Sequence, residues 1–174
     1  MILCEIGQRN QDLIDAGITR AAQVAHPDEV EAEIRTAGIW RDFIPAVEFN
    51  RFKYQIDIDG NTNSWPGLFQ KLLSGSTVLK VASPAGYRQW YYHRLRPWHN
   101  YVPVDNDMSD LVDKVRWLTI HDEVARRIGN AGRELAEAAT FEKELQQSVH
   151  SITAALRAST YTAGLPPKDE QRGA

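Results

Sequence analysis

The sequence predicts an α/β domain in which a parallel β-sheet is covered by helices and closed by a helical cap at its C-terminal end. Two observations support this class. In the first part of the chain, short β-type runs alternate with helical patterns, and in the last part only amphipathic helical patterns occur. The 174 residues suit one domain, and 43% hydrophobic with 25% charged residues is an ordinary globular composition that can bury a core.

The first half of the chain alternates between the two periodicities. Val30 and Ile34 lie four residues apart, as on one helix face, and Gly38 follows as a residue that readily ends a helix. The run before Gly60 alternates apolar and polar side chains, as in a strand. The predicted elements are a strand at Met1–Ile6, a helix at Pro27–Ala37, a strand at Lys53–Asp59, a helix at Pro66–Leu73 and a strand at Thr77–Val81.

The second half is predicted to be mainly helical. Asp107 or Ser109 caps a helix with one apolar stripe, and a second helix follows Asp122. The chain ends in a Pro- and charge-containing stretch that cannot bury enough apolar surface to become ordered. The remaining predicted elements are a helix at Tyr87–Leu95, a strand at Tyr101–Val104, a helix with the stripe Leu111, Val115 and Leu118, a helix at Phe141–Leu156, and a loose tail.

Charge and cysteine content limit the function classes. A formal net charge of -3 gives no overall signature of a polyanion-binding protein. The single Cys4 cannot form an internal disulfide, which is typical of a reducing compartment, and we expect it to be a small buried residue. No apolar run approaches the roughly 20 residues of a membrane-spanning helix. We therefore expect a soluble, cytoplasmic protein, either free or placed at the periphery of the inner membrane.

The loop that follows the Lys53–Asp59 run has the composition of an anion site. A strand that leads into a small polar loop at a helix N-terminus directs unpaired backbone N–H groups and the positive helix end to one point. Gly60 allows close backbone approach, Thr62 and Ser64 offer hydroxyls, and Asn61 and Asn63 offer amides. Trp65, held extended by Pro66, is suited to stacking on a base or sugar. The alternative is a plain β-to-α turn, which uses the same residue types.

Asp57-Ile58-Asp59 places two carboxylates on one face of a strand, a pattern found in metal-dependent sugar transferases. An EF-hand is excluded, because Pro66 would stand where that loop requires a glutamate. Asp59 could instead accept a hydrogen bond from a ribose hydroxyl, and Asp57 could be an edge-strand carboxylate or a solvent-facing one. The five histidines have no spacing typical of a zinc site: His26, His93, His99, His121 and His150.

Segment 87–99 interleaves cationic and aromatic side chains, a pattern found on nucleic-acid-binding surfaces. As a helix, however, its side chains would form a half-buried stripe with long polar tips at the surface. We favour the second interpretation and expect no nucleic-acid partner. That stripe contains Tyr87, Trp90, Tyr91 and Arg94.

Several motifs in order resemble glycosyltransferase family 90, the group of lipopolysaccharide-modifying and capsule-associated transferases and protein O-glucosyltransferases. They are DLIDAGIT (Asp12–Thr19), FKYQIDIDGNTNSWPGLFQKLLSGSTVLKV (Phe52–Val81), WYYHRLRPWHNYVPV (Trp90–Val104) and DMSDLVDKVRWLTIHDEVARRIGNAGRELA (Asp107–Ala136). The resemblance implies a Rossmann-like sheet like that in the C-terminal half of a GT-B glycosyltransferase. It assigns residues 1–160 to a nucleotide-sugar-binding domain without its N-terminal part, and 161–174 to a disordered tail.

The resemblance also implies a function. It predicts the donor-binding part of an inverting transferase that moves glucose or xylose from a UDP-sugar to a glycan or lipopolysaccharide acceptor, with no cofactor and no required metal. The donor-site loop of the family falls on Asp59, Gly60, Asn61, Thr62, Asn63, Ser64 and Trp65. Some members have arginine after the aromatic residue of this loop, where this chain has Pro66, and this puts one phosphate contact in doubt.

Similar family members have a basic segment and an acceptor-binding domain before the position of Met1. That domain contains the proposed carboxylate base, so we expect the base to lie outside this chain. A donor half alone cannot position an acceptor. We therefore expect a C-terminal fragment that binds a UDP-sugar without turnover. The alternative is a non-catalytic module that binds a glycan or polyanion through segment 87–99.

Overall fold

The computed structural model describes residues 1–60 and 62–163, apart from the side chains of Trp65 and residues 159–163. The chain forms two units, Met1–Glu137 and Ala138–Ala174. The elements up to the unit boundary are α1 (Ile2–Arg9), α2 (Pro27–Thr36), a 3₁₀ helix (Ala46–Arg51), β1 (Tyr54–Asp57), α3 (Trp65–Leu73), β2 (Thr77–Val81), a 3₁₀ helix (Tyr92–Arg94), β3 (Val102–Val104), α4 (Leu111–Ile120) and α5 (Asp122–Ala138).

The sheet has three parallel strands in the order β1-β2-β3. Asp57 lies opposite Lys80, and Leu79 lies opposite Val102, so the carboxyl ends of the strands meet at one edge. Helix α3 is the crossover between β1 and β2. The predicted α/β class with a parallel sheet is therefore confirmed.

Apolar layers cover both faces of the sheet. All five residues of the central strand β2 are buried, as expected for a parallel strand between two layers of helices. One face packs against α3 through Leu68 and Leu72, and the other packs against α4 and α5. The larger cluster includes Leu79, Val81, Val102, Val104, Leu111, Val115, Leu118 and Ile128, so the predicted stripe of α4 is confirmed as core.

Helix α5 lies against the amino ends of the strands at unusually close range. The Thr77 hydroxyl donates a hydrogen bond of 2.7 Å to the Ala125 carbonyl. A Cβ added to Gly129 would stand 2.4 Å from the Gly75 carbonyl oxygen, and one added to Gly132 would stand 2.8 Å from the Asn100 carbonyl oxygen. Two glycines one turn apart thus allow the helix to approach the backbone of the sheet.

Most predicted elements are confirmed with small shifts of their ends. Gly38 and Gly75 follow α2 and α3 with φ of 69° and 78°, the left-handed conformation that glycine adopts without a steric penalty. Tyr54 and Ile56 pack toward the larger core cluster, while Asp57 is buried on the opposite face. The expected alternation of β1 is therefore present, but a solvent-facing Asp57 is wrong.

The predicted strand at Met1–Ile6 is wrong, because these residues begin α1. Leu3 and Ile6 pack against the larger core cluster while Cys4 is buried in a separate one, a distribution that follows a helix turn. So short an apolar run does not distinguish the strand period of 2 from the helix period of 3.6. The prediction that Cys4 is a small buried residue is confirmed, since it is 6% exposed.

The predicted helix at Tyr87–Leu95 is also wrong, because only Tyr92–Arg94 is helical and it is a 3₁₀ turn. Side chains from outside the segment bind two of its carbonyls. The Asn63 amide donates to the Arg88 carbonyl at 3.3 Å, and the Asn100 amide donates to the Arg94 carbonyl at 3.0 Å. Tertiary hydrogen bonds therefore replace the expected helical ladder.

The second unit is described through α6 (Phe141–Ala163), which confirms the predicted helix and extends it. Its apolar side chains are exposed: Phe141, Leu145, Val149, Ile152 and Leu156. The predicted tail at 161–174 falls mostly outside the described residues, from 164 onward. No helix in the described part of the chain is long and apolar enough to cross a bilayer.

Gly129→Ala should destabilise the protein by about 1–3 kcal/mol, although alanine normally favours a helix over glycine. The new methyl group would meet the Gly75 carbonyl oxygen, and that backbone cannot easily move. Urea unfolding measures the change. Asn130→Ala, at an exposed neighbour in the same helix, is the control and should be neutral or slightly stabilising. Equal effects of the two variants would contradict the close packing.

Candidate functional site

The candidate site lies where β1 and β2 end, next to the loop of residues 58–64. Because parallel strands end at the same edge, Asp57 at the end of β1 stands beside Lys80 of β2. Ligands of open α/β sheets commonly bind outside such carboxyl ends. The sequence prediction placed the site at this edge.

Asp57 is the centre of a buried hydrogen-bond network. One of its oxygens, Oδ1, accepts hydrogen bonds from the Ser64 hydroxyl at 2.6 Å and from the Lys71 ammonium at 2.8 Å. The other oxygen, Oδ2, accepts from the Lys80 ammonium at 3.1 Å. The Asp57 side chain is completely buried. One carboxylate therefore joins β1 to the loop, to α3 and to β2.

Asp59 uses only one of its two oxygens. Its Oδ1 accepts from the Lys80 ammonium at 3.3 Å and from the Ser64 backbone N–H at 3.2 Å. Its Oδ2 is buried, in a side chain that is only 7% exposed, and has no hydrogen-bond partner among the residues that the structure describes. A buried carboxylate oxygen without a donor is costly, and in native structures it usually has a function or a missing partner.

The charges of this cluster balance. Asp57 and Asp59 provide two negative charges, and Lys71 and Lys80 provide two positive charges within 3.3 Å of them. A neutral cluster has little excess attraction for an anion. The atom of the cluster with unused hydrogen-bonding capacity is instead an acceptor, Asp59 Oδ2, which is suited to a hydroxyl or N–H donor.

Burial and neighbouring charges shift the titration of this region. Burial acts to lower the pKa of Lys80, but the Asp57 charge and hydrogen bond outweigh it, so this pKa lies above its ordinary value of 10.5. Burial is the main reason that the hydroxyl pKa values of Tyr91 and Tyr92 lie above 10.0. The Lys80 ammonium acts to lower the pKa of Tyr92, but burial outweighs it. Within the described residues, the buried Tyr91 hydroxyl has no hydrogen-bond partner.

The structure gives different roles to the predicted loop residues. Gly60 is exposed with no heavy atom within 4 Å of a hypothetical Cβ, and Thr62 is exposed. Asn63 makes contacts outside the loop, accepting a hydrogen bond of 2.7 Å from the Gln89 side chain. The amide and hydroxyl of Ser64 both donate to aspartates of the protein itself. Asn61 and the Trp65 side chain lie outside the described residues.

The sequence analysis did not identify the two lysines of the site. Lys80 stands in the β-type run Thr77–Val81, and a lysine in a strand buried on both faces requires a charged partner. That signal could have identified Lys80 as a paired lysine. Its partner, Asp57, could be found only from the register of the two strands. Lys71 gave no comparable signal, because a lysine in an amphipathic helix is usually a solvated residue.

A separate cavity of about 520 Å³ lies beside β1 and is lined mainly by apolar side chains, including Leu13, Phe49 and Phe52. Lys71 also lines this cavity. Asp57 and Asp59 do not line it. Within the described residues, no three His, Cys, Asp or Glu side chains converge in a way that could hold a metal ion.

Comparison with known proteins identifies the family of this chain. The family model "Glycosyl transferase family 90" matches residues 2–151, so the chain belongs to glycosyltransferase family 90. The described α/β fold, with its parallel three-stranded sheet, is consistent with a Rossmann-like fold.

Among its relatives is protein O-glucosyltransferase 3 of Rattus norvegicus, which is 36% identical over 128 residues, 74% of this chain and 23% of the relative. Protein O-glucosyltransferase 2 of Danio rerio is 29% identical over 134 residues, 77% of this chain and 25% of the relative. Uncharacterized protein 035R of Invertebrate iridescent virus 3 is 28% identical and covers 96% of this chain and 15% of its own length. The chain thus spans about a quarter or less of these relatives.

The comparison corrects one prediction. The related protein O-glucosyltransferases act in the lumen of the endoplasmic reticulum and not in the cytoplasm. The predicted cytoplasmic location, with or without a place at the inner membrane, is therefore wrong.

Asp57→Asn should lower the free energy of unfolding by about 3 kcal/mol, because it removes the buried counter-charge of Lys71 and leaves Lys80 with Asp59 alone. Urea unfolding measures this loss. Asp113→Asn, at an exposed position of α4, is the matched control and should change stability by less than about 0.5 kcal/mol. A similar small loss in both variants would contradict the anchoring role of Asp57.

Stability should decrease at alkaline pH. The pKa values of Lys80, Tyr91 and Tyr92 are raised in the folded protein, so the folded state retains protons that the unfolded chain loses above about pH 10. Each such group lowers the unfolding free energy by up to about 1.4 kcal/mol per pH unit in that range. Urea unfolding from roughly pH 9 to pH 11 measures the slope.

The double variant Tyr91→Phe and Tyr92→Phe is the control for this pH dependence. Phenylalanine retains both buried rings, so the variant should fold, and it should show a shallower alkaline slope because two groups with a raised pKa are removed. An unchanged slope would show that these two tyrosines do not titrate as described.

Proposed function

We propose that this chain is the nucleotide-sugar-binding part of a glycosyltransferase that transfers a sugar from a UDP-sugar to an acceptor hydroxyl. Membership of glycosyltransferase family 90 supports the reaction class. Relatives named protein O-glucosyltransferases support a glucose-type donor, with xylose as the related alternative. The parallel sheet agrees with the Rossmann-like C-terminal half of a GT-B enzyme.

The observation that supports donor binding most directly is the open oxygen of Asp59. A buried carboxylate oxygen with no partner in the described part of the protein is suited to accept a hydrogen bond from a ligand hydroxyl. Asp59 is oriented by Lys80 and by the Ser64 N–H, so its free oxygen has a defined position. We assign this oxygen to a ribose hydroxyl of the UDP-sugar.

The remaining loop residues complete the proposed donor site. Gly60 and Thr62 are exposed at the carboxyl edge, where backbone and hydroxyl groups can reach a diphosphate. Asn63 holds the loop against segment 87–99, while Ser64 holds the two aspartates in place. On the basis of the sequence, we assign Asn61 to the diphosphate and Trp65 to the base or the sugar.

The proposed transfer inverts the anomeric carbon. The acceptor oxygen forms a bond to this carbon while the bond to the β-phosphate oxygen breaks, and UDP leaves with the bond electrons. The acceptor proton passes to a carboxylate base, which we place in an acceptor-binding domain of the family rather than among these residues. The present residues bind and orient the donor, and this step requires no metal in the proposed mechanism.

Asp59→Asn should weaken UDP binding about tenfold or more, measured by isothermal titration calorimetry. The one carbonyl oxygen of asparagine must serve Lys80 and the Ser64 N–H, which places an NH₂ group where Oδ2 accepts. Asp113→Asn is the control and should bind UDP as the unsubstituted chain does.

A second ligand identifies the group that Asp59 contacts. UDP without its two ribose hydroxyls should bind the unsubstituted chain more weakly than UDP does, and Asp59→Asn should not weaken it further. Equal binding of UDP by the unsubstituted chain and by Asp59→Asn would overturn the assignment.

A further inference from the structure

Segment 87–99 lies directly against the candidate donor loop. The Gln89 side chain donates to the Asn63 side-chain oxygen at 2.7 Å, and the Asn63 amide donates to the Arg88 carbonyl at 3.3 Å. These reciprocal bonds join one loop residue to two consecutive residues of the segment. The sequence had suggested the loop and the segment as alternative binding regions, but the structure places them side by side.

A row of aromatic rings leads from the buried charges to the surface. The ring centroids of Tyr91 and Tyr92 are 5.2 Å apart, as are those of Trp90 and Tyr91, and both pairs meet edge to face. Lys80 Nζ lies 5.0 Å from the centroid of the Tyr92 ring. The row therefore starts beside the Asp57–Lys80 pair and ends at Trp90.

Trp90 is exposed but firmly supported. Trp90 is 56% exposed, whereas its neighbour Tyr91 is only 3% exposed. Tyr91 also contacts Phe69 of α3 edge to face, with centroids 5.4 Å apart. A large apolar ring held at the surface by a buried ring next to a ligand site is well suited to stacking on a planar ligand.

Cationic charge accompanies this ring. The Arg94 guanidinium lies over Trp90, 5.5 Å from the ring centroid. The Asp57–Lys80 cluster is neutral, so positive charge for an anionic ligand must come from elsewhere. A nucleotide combines a planar base with negative phosphates, which fits an exposed tryptophan backed by an arginine.

We propose that Trp90 is the stacking surface for the base of the bound nucleotide, with Arg94 supporting its ring. This inference rests on the proposed function and adds a recognition residue to the same site. Asp59 binds the ribose, and Trp90 binds the base. Uracil has a planar face that a tryptophan can cover without reading its edge, so the contact contributes affinity more than base discrimination.

Calorimetric titrations of the 174-residue chain with UDP and with inorganic pyrophosphate test the proposal. Trp90→Ala should weaken UDP binding about fivefold or more and leave pyrophosphate binding unchanged, because pyrophosphate has no base. Trp90→Phe keeps an aromatic face and should remain within about threefold of the unsubstituted chain for UDP.

Trp98→Ala is the matched control. Trp98 is 44% exposed and contacts Trp117 edge to face at 5.5 Å, so it resembles Trp90 in exposure and ring support. Its backbone N–H donates to the Tyr101 carbonyl just before β3, whereas Arg88 and Gln89, next to Trp90, bond to Asn63 of the loop. Its replacement should leave UDP binding unchanged, and urea unfolding of each variant confirms that it is folded.

The outcomes separate this inference from the proposed function. If Asp59→Asn weakens UDP binding and Trp90→Ala does not, the donor site stands and the stacking role is overturned. If Trp90→Ala weakens UDP and pyrophosphate equally, or no more than Trp98→Ala does, the base contact is also overturned. If the unsubstituted chain binds no UDP, the proposed function and this inference both fall.

Discussion

The buried carboxylate of Asp57 is the constraint on which the candidate site depends. An uncompensated charge inside a protein costs several kcal/mol, so the fold must bring donors to this position. They come from three different elements: Ser64 from the loop, Lys71 from α3 and Lys80 from β2. The same requirement that stabilises the end of the sheet therefore also sets the conformation of the loop.

This arrangement determines what the site can recognise. Because two lysines neutralise two aspartates, the cluster offers no excess positive charge, and the Ser64 amide and hydroxyl are directed inward. Its unused group is an acceptor, the Asp59 Oδ2 atom. Hydroxyl recognition in the interior and aromatic contact at Trp90 on the surface together match a nucleotide better than a simple anion does.

The sequence analysis succeeded where a segment had an apolar helical stripe or a β-branched run. It failed where the pattern was ambiguous or where contacts with other segments set the backbone conformation. The apolar stripe of α4 and the β-branched run of β2 formed as predicted. Met1–Ile6 is too short to show its period, and segment 87–95 is held by Asn63 and Asn100 rather than by its own helical bonds. Local propensity cannot anticipate the hydrogen bond from Asn63, which lies 25 positions from Arg88.

The sequence by itself determined the α/β class and the position of the loop after β1, because periodicity and turn chemistry are local properties. Family motifs in the same order pointed to a glycosyltransferase, as the family match confirmed. Only the tertiary structure decided that Lys80 faces Asp57, that Asp59 keeps one oxygen free, and that Trp90 stands beside the loop. Strand register and long-range packing set these contacts, and neither is encoded within a single segment.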